Sequence, residues 1–221
     1  MGLVIYDKSY FLYIINLMKK VLCFGDSNTF GFNPKNGKRF DKNSRWTGIL
    51  EKFSGSDFQI IEAGCNNRTA FSDNPAGALF TGYKILPEIL KSDFDFVILF
   101  IGINDLQFEY GVSFEDIKLG VSKLVKIVQD KVNKAKILLV LSPELTENVL
   151  KSPIFLTLFD KTSIEKSKAL PKIYSEISKE YGIDFLDLNK IVIPSELDGL
   201  HFEPSEHEKI AKEIFNYLKN E

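Results

Sequence analysis

The chain has 221 residues, a net charge of −2 at pH 7, 44% hydrophobic and 26% charged residues, the proportions of an ordinary globular domain. A chain this long buries a core without a disulfide or metal staple, and nucleic acid is not an expected partner because no basic stripe is present. The two cysteines, Cys23 and Cys65, lie in no CxxC or Cys/His pattern, so neither a disulfide framework nor a zinc site is expected, and reduced thiols point to a cytoplasmic setting.

Residues 10–18 (YFLYIINLM) are apolar but far short of the roughly 20 residues that span a membrane. Lys19 and Lys20 follow this run, whereas a signal peptide has its basic residues first. No membrane partner is expected. Met18 is a candidate start, which makes 1–17 an N-terminal extension and 18–221 the domain. The alternative is an N-terminal helix packed on the domain or on a neighbouring subunit.

From there strands and helices alternate. Residues 21–24 (VLCF) form a short apolar strand ending at Gly25. Trp46, Ile49, Leu50 and Phe53 recur at helical spacing. Strands follow at 58–61 (FQII), ending near Gly64, and at 96–101 (FVILFI), ending at Gly102. Ile117, Val121, Leu124, Val125 and Val128 mark a second helix, and 137–141 (ILLVL) a fourth strand. Residues 148–161 carry Val149, Leu150, Ile154, Phe155, Leu156, Leu158 and Phe159 without a clear period, which suits a loop or short helix lining a pocket or a subunit contact. A helix over 164–181 returns apolar residues at Leu170, Ile173 and Ile177, and a fifth strand covers 183–186 (IDFL). The last helix, 206–218, aligns Ile210, Ile214, Phe215 and Leu218 behind Pro204 and Ser205. Continuous apolar strands are buried on both faces, as in a parallel sheet covered by helices. The pattern predicts a three-layer α/β fold with a doubly wound, parallel, five-stranded sheet in flavodoxin-like order.

In such a sheet ligands bind beyond the carboxyl ends of the strands. Four blocks lie near such ends: Gly25-Asp26-Ser27-Asn28-Thr29, Gly64-Cys65-Asn66-Asn67-Arg68-Thr69, Gly102-Ile103-Asn104-Asp105 and, before the last helix, Asp198-Gly199-Leu200-His201. Ser27 alone reads equally as a helix cap, and Asn104-Asp105 as a turn; together the four favour chemistry. A serine hydroxyl needs an adjacent base to attack. His201 suits, because imidazole titrates near neutral pH, and Asp198 three residues earlier can reach its other nitrogen. His207, among Glu206, Glu208 and Lys209, reads as solvated surface. Gly25 and Gly31 lack the spacing of a phosphate loop, so no nucleotide is expected.

These blocks resemble the SGNH, or GDSL-type, hydrolases, with Asn28 where many members have leucine. Arg45-Trp46 and Arg68-Thr69 are similar to pairs in the arylesterase-like branch. The resemblance covers residue 18 to the C-terminus. It implies a serine esterase acting through an acyl-serine intermediate, with Ser27 as nucleophile and Asp198 and His201 completing the triad. It also implies an oxyanion hole made by the Ser27 N–H, a second backbone N–H and the Asn104 side chain. Many members place a glycine two residues before the second-block threonine; here that position is Asn67. Asparagine tolerates left-handed backbone, so Asn67 is the expected donor and Gly64 the runner-up. Asp26, Arg68 and Trp46 are expected to contact substrate or support the residues that do. Arg68 would pair with Asp26 or Asp105 or lie at the surface, and Trp46 would belong to the core, an interface or an acyl pocket. Phe32, Phe71, Phe80, Phe108, Phe155 and Phe159 would line an apolar pocket or join the core. The implied partner is a small-molecule ester with a short acyl or aryl group, in a homo-oligomer needing no metal and no cofactor. The alternatives are a carbohydrate O-acetyl esterase and, from a different class, a non-catalytic flavodoxin-like binding module.

Overall fold

The computed structural model describes residues 18–221, so the expectation for residues 1–17 lies outside the described residues. β1 (Lys19–Gly25) is fully buried from Val21 onward and therefore has to sit inside a sheet covered on both faces. It pairs in parallel with β2 (Phe58–Gly64) on one side and β3 (Phe96–Phe100) on the other. β4 (Lys136–Leu141) and β5 (Asp184–Asp187) extend the sheet in the order β2-β1-β3-β4-β5, all parallel. The winding reverses between β1 and β3, which opens a crevice at their carboxyl ends.

Successive side chains of each strand feed opposite cores. Leu22, Phe24, Val97, Leu99 and Leu139 meet α3 (Gly82–Ile89), α4 (Phe114–Lys131) and α5 (Lys161–Tyr181). Val21, Cys23, Ile98, Leu138 and Val140 meet α2 (Trp46–Ser54) and α6 (Pro204–Asn220). Ser113 and Asp116 form a capping box that starts α4, and Asp160 and Ser163 do the same for α5. Pro204 occupies the first turn of α6, where its missing N–H costs nothing. The helix absent from the sequence reading is α3. Pro87 interrupts its pattern, but it falls in the last turns, where only one backbone bond is lost.

The excursion between residues 31 and 45 is tied to the edge strand by Glu62. Its carboxylate accepts from Arg45 Nε and Nη2 (2.8 and 2.9 Å), from Arg39 Nη2 (2.8 Å) and from Thr47 Oγ1 (2.5 Å). Burial opposes the charge, but the bonds from Arg45 and Thr47 and the charges of the two arginines outweigh it, holding the Glu62 pKa at about 2.

The carboxyl end of β2 abuts α1 (Ser27–Phe30), the single turn that follows β1. A Cβ on Gly64 would lie 2.2 Å from the Phe30 nitrogen and 2.5 Å from the Thr29 carbonyl carbon. Overpacking of this kind costs about 1–3 kcal/mol. Gly64→Ala is therefore expected to lower Tm by about 2–12 °C, measured by scanning calorimetry; an unchanged Tm would mean that α1 is free to retreat.

Candidate active site

Ser27 is the first residue of α1, directly after the end of β1. Asp26 caps the turn by accepting from the Asn28 N–H at 2.9 Å, and Gly31, at φ 84°, ends it. Only glycine takes such a backbone angle freely, so the turn stops after four residues and leaves the serine at its head.

The Asp-x-x-His segment closes on itself. Asp198 Oδ1 accepts from the N–H groups of Leu200 (3.0 Å) and His201 (2.9 Å), and Gly199 at φ 71° makes the turn. Asp198 Oδ2 then lies 2.7 Å from His201 Nδ1, and His201 Nε2 lies 2.8 Å from Ser27 Oγ. With Nδ1–H donating to the carboxylate, Nε2 is left to accept from the serine hydroxyl. Ser27, Asp198 and His201 are 5%, 2% and 1% exposed. Burial alone would raise the Asp198 pKa, but the bonds from His201 and Leu200 and the imidazole charge win and hold it below the usual carboxylate value.

The second and third blocks meet each other. Asn67, at φ 57°, is the only non-glycine residue with positive φ among the described residues. Asn104 sits on the short 3-10 turn Ile103–Leu106 after β3, and its Nδ2 donates to the Arg68 carbonyl at 3.1 Å. Among the described residues neither the Ser27 nor the Asn67 N–H has an acceptor. Gly64 packs closely against α1.

Several expected roles are corrected. Arg68 pairs with neither Asp26 nor Asp105; its Nη1 donates to the carbonyls of Gly25 (3.0 Å) and Ala63 (2.5 Å), its Nε to that of Leu79 (3.2 Å), and the guanidinium lies over the Phe24 ring. The Gly25 carbonyl also accepts from the Cys65 N–H at 3.2 Å, while Asp105 takes the N–H groups of Ala70 (2.6 Å), Phe71 (3.0 Å) and Ser72 (2.7 Å). Asp26 is buried, and burial pushes its carboxyl up to about 7 despite the Asn28 N–H and the nearby Arg68 charge. Of the places offered for Trp46, the core is the one found: it is fully buried, and its indole N–H donates to the Asn28 carbonyl at 3.0 Å. His207 is not surface. It lies on the inner face of α6 with Ile210, Ala211 and Ile214, and its Nδ1 accepts from the Trp46 N–H at 3.4 Å. The 207-210-211-214 spacing is helical, and that signal was available in the sequence.

Of the phenylalanines, Phe32 and Phe155 pack on the His201 ring with centroids 4.3 and 5.3 Å away. Phe155 comes from residues 148–161, which form turns after the 3-10 segment Glu147–Leu150, and it also packs on buried Phe159. Phe71 lies against Gly120 of α4, Phe80 is half-buried, and Phe108 is exposed. Missed by the sequence reading are Asp105 as the anchor of the loop after β2, and Asn74 and Gln107, which bond to Asn67. Cys23 and Cys65 are both free thiols. Among the described residues no group of three or more His, Cys, Asp or Glu is placed to hold a metal ion, and no helix is long and apolar enough to cross a membrane.

A doubly wound sheet carrying these four blocks at its carboxyl edge defines a hydrolase of the SGNH class. The chain belongs to the GDSL-like lipase/acylhydrolase family, whose model matches residues 23–209. Among solved structures it is similar to an aryl esterase of M. smegmatis, with 30% identity and a TM-score of 0.85 over 91% of this chain and 99% of that one. It is also similar to Est24, a carbohydrate acetylesterase from Sinorhizobium meliloti, with 29% identity and a TM-score of 0.84 over 91% and 99%. A lipase/acylhydrolase from Enterococcus faecalis shares the fold, at 17% identity and a TM-score of 0.66 over 92% and 96%. No curated protein sequence matches the chain.

Burial pushes the His207 pKa from the ordinary 6.5 down to about 3, with the His201 charge adding to the effect. Between those values the unfolded chain binds a proton that the folded chain does not, so stability rises with pH and is lost as pH falls. Asp26, held up at about 7, acts in the opposite sense over the same range, so the His207 contribution is read as a difference: in urea unfolding His207→Phe is expected to gain stability relative to wild type as pH falls from 6.5 to 5. A difference that does not vary with pH would assign the acid sensitivity elsewhere.

Proposed function

We propose that the chain is a serine esterase that cleaves small carboxylic esters through an acyl-serine intermediate. The observation that carries this reading is the continuous line from Asp198 through His201 to Ser27, at 2.7 and 2.8 Å.

In this mechanism Ser27 Oγ attacks the ester carbonyl carbon while its proton passes to His201 Nε2, and Asp198 stabilises the imidazolium formed. The carbonyl oxygen becomes an oxyanion facing the N–H groups of Ser27 and Asn67 and the free proton of Asn104 Nδ2. Collapse breaks the bond to the alcohol oxygen, which takes the proton from His201 and leaves. Water then adds to the acyl-serine as His201 removes its proton. A second collapse releases the acid and returns the proton to Ser27 Oγ.

Phe32 and Phe155, packed on His201 above a serine that is almost covered, support short acyl groups over long chains. The likeness to an aryl esterase supports aryl or short alkyl esters. The likeness to a carbohydrate acetylesterase favours a second reading, removal of O-acetyl groups from sugars by the same residues. Exposed Phe108, Ile154, Leu156 and Leu197 lie on the loops around the site, which supports a homo-oligomer that shields them; sedimentation velocity at several concentrations would detect a monomer and end that part of the reading.

Hydrolysis of p-nitrophenyl acetate and of acetylated sugars is expected for the wild type. Ser27→Ala is expected to fall to background while folded, and Asn104→Ala to lose about 10²–10³-fold in kcat. Equal turnover by wild type and Ser27→Ala would remove Ser27 as nucleophile.

A further inference from the structure

One buried amide touches both Asn67 and Asn104 yet takes no part in the chemistry above. Gln107 closes the Ile103–Leu106 turn and is 1% exposed. Its Nε2 donates to Asn67 Oδ1 at 2.8 Å and to Asn104 Oδ1 at 3.2 Å. The polarity of this chain of bonds is set at one end. The Arg68 carbonyl can only accept, so Asn104 must turn Nδ2 toward it, at 3.1 Å. That leaves Asn104 Oδ1 facing Gln107, which must present its NH2 group in return. Reversed, the Asn104 amide would meet the Arg68 carbonyl oxygen to oxygen.

Asn67 is held from two directions. Gln107 takes its side-chain oxygen, and Asn74 Nδ2 donates to its backbone carbonyl at 2.8 Å. It needs holding, because a left-handed backbone is strained for an L-residue, less for asparagine than for most. Both groups must also be fixed before reaction if they are to stabilise charge without reorganising.

We propose that Gln107 is a positioning residue for the oxyanion hole: its carboxamide fixes the Asn104 amide with Nδ2 outward and the Asn67 backbone in its left-handed turn, so that both donors point at one place. The inference rests on the acyl-serine reading above and deepens it.

The test compares Gln107→Leu with wild type on p-nitrophenyl acetate, alone and in an Asn104→Ala background. The single substitution is expected to lower kcat about 10- to 100-fold, less than deleting a donor outright, with KM within about twofold. In the Asn104→Ala background the same substitution is expected to cost roughly fivefold less, because one of the two groups it positions is gone. Equal losses in both backgrounds would mark Gln107 as merely structural and overturn the proposal. Should Gln107→Leu not fold, Gln107→Met keeps the length of the side chain but offers no donor to the two carbonyl oxygens. It is expected to lose as much kcat with its circular dichroism unchanged; wild-type kcat in Gln107→Met would also overturn the proposal. The two readings fail differently. An active wild type, an inactive Ser27→Ala and wild-type kcat in the Gln107 variants sink only the positioning role. A wild type inert toward both p-nitrophenyl acetate and acetylated sugars sinks both.

Discussion

Asp105 is a carboxylate with almost no access to water, and a group of that kind cannot stay buried without compensation. Burial pushes its pKa up, while three consecutive backbone N–H groups, from Ala70, Phe71 and Ser72, pull it down. Those three donors belong to the loop after β2, and the carboxylate belongs to the turn after β3. The strands themselves are not neighbours, since β1 lies between them. The carboxylate therefore bridges over the end of β1, where Ser27 sits. Asn67 and Arg68 lie just before the anchored residues, and Asn104 just before the anchoring carboxylate, so this bridge ties their positions together.

The same economy of backbone donors recurs at the other end of the site. Asp198 accepts from two N–H groups of its own turn before it meets the imidazole, so its carboxylate is aimed without help from distant side chains. Arg68 follows the converse logic: a buried cation finds two carbonyls near the ends of β1 and β2 and a third on the 3-10 turn Ala78–Phe80, and needs no acid. In both cases the polar groups left over at the ends of secondary structure satisfy charges that would otherwise be costly to bury.

What could be read from the sequence follows the range of the interactions. The five strands were legible because burial on both faces leaves continuous apolar runs, and the four blocks because the winding of the sheet puts strand ends in one crevice. Asp198 and His201 were legible because their bond spans three residues. Less visible were contacts whose partners are far apart in the chain. Gln107 meets Asn67 across 40 residues and Arg68 meets Gly25 across 43, and no local pattern encodes either. His207 was misread for another reason: its charged neighbours in sequence point outward, while the residue itself shares the apolar stripe of α6. In α3 a single proline hid a helix whose other residues fit.

Trp46 joins three elements. Its indole N–H holds the Asn28 carbonyl beside Ser27, its backbone N–H reaches His207 of α6, and its ring packs toward Phe100 at the end of β3. It is also the chain's only tryptophan. Tryptophan fluorescence in this protein is thus a single-site signal with its chromophore bonded to the Ser27 turn. Emission wavelength and quenching report the state of that turn directly, so occupation of the serine or loosening of α1 can be followed optically with no label attached.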